Sequence, residues 1–125
     1  MKKLYTKMVD LKEVVLSEIQ DKNIKAKFDC ENQIAILYKE GDIDKYIYLD
    51  LREDLNIPYL SYSEFREFLE DFAKSSNTYI YGIDEDLYYL EANEDKEDLE
   101  NSVKQTIEDL KKLIQKALKE LEEEE

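Results

Sequence analysis

Three observations predict an α+β fold. Apolar residues recur at helical spacing near both ends of the chain, short alternating runs fill the space between, and turn residues separate those runs by only a few positions. Links that short favour antiparallel pairing, with helices packed on a mostly antiparallel sheet. The predicted order is α-β-β-β-α-β-β-α, ending in a long C-terminal amphipathic helix. A chain of 125 residues has room for one hydrophobic core, so residues 1–125 form one predicted domain.

The first helix is predicted from Leu4, Met8, Leu11, Val15 and Ile19, which step by three or four along one stripe. Asp21, Lys22 and Asn23 break it. Ile24, Ala26, Phe28 and Cys30 then alternate with Lys25, Lys27, Asp29 and Glu31, the signature of a half-buried strand. Glu31-Asn32-Gln33 turns the chain into a strand over Ile34 to Lys39, and Glu40-Gly41-Asp42 turns it again, with a glycine free to take positive φ. Tyr46 to Leu51 is the third strand; Ile47, Leu49 and Leu51 share one face, and Tyr46 and Tyr48 share the other.

A loop holding the lone Pro58 follows. Ser61 and Glu64 have capping-box spacing before a helix whose apolar face is Phe65, Phe68, Leu69 and Phe72. The β-branched and aromatic run Thr78 to Ile83 predicts the fourth strand, and Leu87 to Glu91 the fifth. Asn93 or Asp95 caps the last helix, with Glu94, Asp95, Glu97 and Asp98 favouring its positive end. Along that helix run Leu99, Val103, Ile107, Leu110, Ile114, Ala117 and Leu121; residues 122–125 read as a frayed acidic tail.

Composition narrows the function classes. Cys30 is the only cysteine and sits in the alternating series, so no internal disulfide forms and a reducing cytoplasm is the expected compartment. No targeting segment is predicted, and no apolar run approaches the length that crosses a bilayer. The formal net charge is −14, unevenly spread. Residues 1–54 hold ten basic and twelve acidic side chains, and residues 55–125 hold eight and twenty. Such a field opposes direct nucleic-acid binding, which depends on phosphate neutralisation. Abundant Lys and Glu with few thermolabile residues is a composition found in hyperthermophiles, and predicts a melting temperature above about 60 °C.

Chemistry-bearing constellations are scarce. Without histidine, the Ser-His-Asp and Cys-His arrangements do not arise, and a zinc or iron site has too few ligands. Residues 84–100 hold nine carboxylates, but Asp84, Asp86 and Asp95 lack the spacing and glycine of a calcium loop. Neither GxGxxG nor GxxxxGK[ST] occurs. Metals and cofactors are therefore not predicted.

Two surfaces remain as candidates. Ten tyrosines are many for this length, and Tyr46, Tyr48, Tyr79, Tyr81 and Tyr88 fall at strand positions where an uncovered sheet face becomes a binding surface. Ile107, Leu110, Ile114, Ala117 and Leu121 keep the step of a coiled-coil seam, which serves either a second copy or this chain's own sheet. The element order, size and acidity over the whole chain resemble the class I type III secretion chaperones and the related YbjN-like domains. That resemblance implies a commonly dimeric, client-binding α+β protein and assigns no individual residues.

The sequence thus predicts a non-enzymatic protein-binding module, chaperone-like or adaptor, homodimeric, whose protein partner carries basic character. An alternative is an acidic nucleic-acid mimic that inhibits a nuclease or host-defence complex, using Asp84, Glu85, Asp86, Glu91, Glu94, Asp95, Glu97 and Asp98. A carboxylate-based enzyme comes third, and requires two buried acids in a deep pocket.

Overall fold

The computed structural model describes residues 3–57, 63, 64, 66, 67, 70, 80–83 and 87–123. Its elements in chain order are β1 (Tyr5–Asp10), α1 (Leu11–Glu18), β2 (Ile24–Asp29), β3 (Ile34–Lys39), β4 (Asp42–Asp50), α2 (Leu51–Asp54), β5 (Ile80–Ile83), β6 (Tyr88–Asn93) and α3 (Lys96–Glu122). The α+β class and the long closing helix are as expected. The strands divide into two antiparallel three-stranded sheets, ordered β1-β6-β5 and β2-β3-β4.

The N-terminus differs from the sequence expectation. Residues 5–10 form an edge strand, every position of which pairs with β6, from Tyr5 opposite Asn93 to Asp10 opposite Tyr88. Asp10 ends the strand and starts the helix: its Oδ1 accepts from the backbone N–H of Lys12 at 3.0 Å and of Glu13 at 3.3 Å. A side chain that caps so well sets the boundary within a stripe that would otherwise read as one helix. Met8 consequently leaves the apolar stripe and is 57% exposed.

The meander β2-β3-β4 forms where expected. Lys25 lies opposite Tyr38 and Lys27 opposite Ile36; Ile36 in turn lies opposite Tyr48, and Tyr38 opposite Tyr46. Gly41 takes φ 87° at the second turn. The first turn needs Gln33 at φ 54°, held by its own amide, which donates to the Cys30 carbonyl at 2.6 Å, while Leu51 N–H donates to the Gln33 carbonyl at 3.0 Å. β4 is longer than predicted, and Leu51 leaves it to begin a single turn of helix capped by Asp50. Asp50 Oδ1 accepts from Glu53 N–H, and Asp54 Oδ2 accepts from Asp50 N–H, each at 3.0 Å. In the predicted middle helix, Ser63, Glu64, Arg66, Glu67 and Glu70 are helical and exposed. Its cap Ser61 and apolar face Phe65, Phe68, Leu69 and Phe72 lie outside the described residues.

The core is one cluster shared by both sheets. Leu11 and Val15 of α1, Ala35, Leu37 and Leu49 of the meander, Tyr89 of β6 and the apolar stripe of α3 bury one another. α3 runs against β1, β6, β3 and β4 as well as α1. One 27-residue helix, about 40 Å long at 1.5 Å per residue, therefore covers the inner faces of both sheets. The other face of β2-β3-β4 has no described element over it.

Candidate functional site: an uncovered tyrosine face

Strand alternation builds this face. Along β4, Leu49 is buried and Ile47 packs against the core, while Tyr46 and Tyr48 point outward and remain 59% and 53% exposed. On β3, Ala35 and Leu37 go in, and Ile34, Ile36 and Tyr38 come out half-buried. On β2 the outward positions are Lys25, Lys27 and Asp29. Pairing registers align these into three cross-strand rows: Lys25–Tyr38–Tyr46, Lys27–Ile36–Tyr48 and Asp29–Ile34–Asp50.

Lys27, Ile36, Tyr38, Tyr46 and Tyr48 line a shallow depression of about 400 Å³. Lys27 Nζ stands 5.4 Å from the centre of the Tyr38 ring, within reach of a cation–π contact that keeps the lysine stem folded along the face. Asp29 is fixed by the turn: Asn32 Nδ2 donates to its Oδ2 at 2.7 Å and Asn32 N–H to its Oδ1 at 3.3 Å. The Asn32 side-chain amide, followed by its backbone N–H, holds the Asp29 carboxyl below its ordinary range.

Of the tyrosines predicted as partner-binding, the structure brings Tyr46 and Tyr48 together. Tyr88 is half-buried on β6 in the other sheet. Tyr81 lies in β5 with its backbone paired to Glu91, and Tyr79 lies outside the described residues. Alternation alone located Tyr46 and Tyr48. Lys25, Lys27, Ile36 and Tyr38 join them through hairpin register, which the turn lengths carry only loosely.

Of the two uses the helical seam allows, the structure shows packing on this chain's own sheets. Leu110, Ile114, Ala117 and Leu121 are buried in this chain's own core and Ile107 packs against it, so these side chains are not available to a second copy. The cause is simple: two sheets each need an apolar cover, and α3 supplies it.

One member of the predicted acidic face is corrected. Glu91 is fully buried on β6 and cannot belong to any surface. Asp95 is the N-cap of α3, its Oδ1 accepting from Asp98 N–H at 3.1 Å, and Glu97 and Asp98 sit in the first turn beside the helix's positive end. Glu94 is half-buried, and the exposed acids of α3 are interleaved with Lys96, Lys104, Lys111 and Lys112. Asp84, Glu85 and Asp86 lie outside the described residues.

Glu91 instead anchors a polar cluster inside the fold. Its Oε1 accepts from the Tyr89 hydroxyl and from Ser102 Oγ at 3.0 Å. Thr106 Oγ1 lies 3.4 Å from the Tyr89 oxygen and 3.1 Å from the Ser102 carbonyl. Glu91 Oε2 is buried without a hydrogen-bond partner among the described residues. Burial, then the bond to Glu91, pushes the Tyr89 hydroxyl well above its ordinary value. Sequence reasoning missed this cluster, whose only trace is Tyr89 and Glu91 two apart on a strand and Ser102 and Thr106 four apart on a helix.

Among the described residues no three metal-ligating side chains converge, and no helix is long and apolar enough to cross a membrane. No family model, curated protein or solved structure matches the chain.

Proposed function

We propose that this chain is a non-enzymatic protein-binding module, chaperone-like or adaptor in use, that binds polypeptide through the outer face of β2-β3-β4. One observation carries the proposal: Tyr46 and Tyr48 stand more than half exposed beside Ile36 and Tyr38 on a three-stranded face with no described element over it. Tyrosine brings large, rigid contact area at low entropic cost and is enriched where proteins meet. Lysine and aspartate at the rim supply orientation. A net charge of −14 favours neutral or basic protein surfaces over nucleic acid. Cys30, a free thiol, suits a cytoplasmic setting.

The test is photo-crosslinking in cells producing the full chain, with a benzophenone side chain in place of Tyr48 and, as control, in place of the exposed Lys104 on α3. Polypeptide adducts from position 48 and few from 104 are expected. A chain that gives none from position 48, or as many from 104, does not bind through this face.

A further inference from the structure

Building on the proposed binding role of the outer face, we infer that the polypeptide covering it is a second copy of this chain, seated about a two-fold axis that runs along the Lys27–Ile36–Tyr48 row. The reason lies in the arrangement of the three rows. A two-fold axis across the strands lays each outer row over the opposite outer row of the other copy. Lys25 then meets the other copy's Asp29, Tyr38 covers Ile34, and the Tyr46 hydroxyl reaches toward the Asp50 carboxylate. Opposite charges, a ring on an aliphatic side chain and a phenol beside a carboxylate are each favourable pairs. A same-patch contact of this kind is what two-fold dimers require.

Charge balance supports the same occupant. Two chains of net charge −14 repel through most of their surfaces. Across these three rows, however, Lys25 and Lys27 offset Asp29 and Asp50, so the face is locally neutral. Asp29 is also held in its ionised form by Asn32, ready to meet a lysine. On the axis, Ile36 meets Ile36 and Tyr48 meets Tyr48. The two Lys27 side chains oppose each other at the β2 end of the axis, and each leaves the Tyr38 ring it covers in the single chain so that its charged end reaches water beyond the sheet edge. Packed sheets of this sort cross at about −30°, which leaves the row order intact.

The face is small. Three strands about 4.8 Å apart and six residues at about 3.4 Å each frame roughly 15 by 20 Å per copy. That is roughly 300 Å² per copy and about 600 Å² in total, about half of the 1,200 Å² that marks stable interfaces, so the dimer is weak and forms only at high concentration.

Sedimentation equilibrium of the full chain from micromolar to millimolar concentration tests this, using Lys25→Asp, Asp29→Lys and the double variant. Each single change sets like charges against each other, and the dissociation constant should rise at least about tenfold (one decade is about 1.4 kcal/mol). The double change restores opposite charges and should return it to within about threefold. Should Asp29→Lys disturb its turn, Tyr48→Ala on the axis serves as the second variant, with the same tenfold loss expected. A wild-type monomer at millimolar concentration overturns the inference, as does a dimer indifferent to Lys25→Asp and Tyr48→Ala. If position 48 still crosslinks to another polypeptide in that event, the binding role stands and only the identity of the occupant falls; if it crosslinks to none, both fall.

Discussion

Replacing Glu91 by glutamine should make this protein more stable. The side chain is 0% exposed, and two hydroxyls share one of its oxygens while the other has no hydrogen-bond partner among the described residues. A buried, unmatched carboxylate costs several kcal/mol, against which two charge-assisted hydrogen bonds return about 1.5–3 kcal/mol each. Glutamine keeps the shared acceptor at about 1 kcal/mol per neutral bond, leaves one amide unpaired at about 1–3 kcal/mol, and removes the charge. With that burial cost at about 6 kcal/mol, the midpoints of these terms favour Glu91→Gln by about 1–2 kcal/mol. For a chain of this length that is a rise in Tm of about 3–10 °C. Glu91→Ala should do the opposite, because it opens a hole and strips the Tyr89 and Ser102 hydroxyls of their acceptor, at about 2–4 kcal/mol. The assay is urea unfolding followed by circular dichroism at pH 7, with thermal melts alongside. If Glu91→Gln lowers stability by more than about 1 kcal/mol, the reasoning is refuted: the carboxylate charge is then matched by a cationic partner and is not a burden to the fold.

Other measurements probe separate parts of the structure. The Tyr89 hydroxyl is raised above its ordinary value of about 10, so its stabilising contribution is complete below that pH and is lost as pH rises above it toward the folded value. Tyr89→Phe should flatten the alkaline limb of a stability-against-pH curve, and an unchanged slope would show that the limb has another origin. Asp95→Ala removes the acceptor for Asp98 N–H and should cost about 1 kcal/mol in chemical unfolding. The double change Tyr46→Ser with Tyr48→Ser should move the stability of the dilute monomer by less than about 0.5 kcal/mol per site, whereas Leu37→Ala in the core should cost about 2–5 kcal/mol.

Much of the architecture was legible in the residues. The alternation from Ile24 to Cys30, the strand from Ile34 to Lys39 and the Gly41 turn each carry a local signal strong enough to survive into the fold. Tyr46 and Tyr48 followed from the same alternation, since a period of two separates the buried from the exposed side of a strand. The strand from Tyr5 to Asp10 was not legible, because its partners lie 78 to 88 positions away and its apolar spacing fits a helix equally well. The fate of the α3 stripe was open for a related reason. A repeated 3-4 step records that a face is buried, but not whether a neighbouring chain or the chain's own sheets bury it. Glu91 was misplaced because an acidic residue in an acidic stretch carries no mark of burial; only Tyr89 before it and Ser102 and Thr106 from α3 supply the reason.

The pairing of β1 with β6 also bears on how this molecule is made. The meander joins neighbours in sequence and can close early, whereas Tyr5–Asp10 must wait for Tyr88–Asn93. At about 5–20 residues per second, a ribosome needs roughly 4–16 s to add the intervening segment. Throughout that interval the first strand has no partner, and α1, hinged on Asp10, has no β6 to seat it. The shared core therefore closes only once Tyr88–Asn93 has arrived and α3 has emerged to cover both sheets; until then the first strand lacks its partner and the inner face of the meander lies open to water.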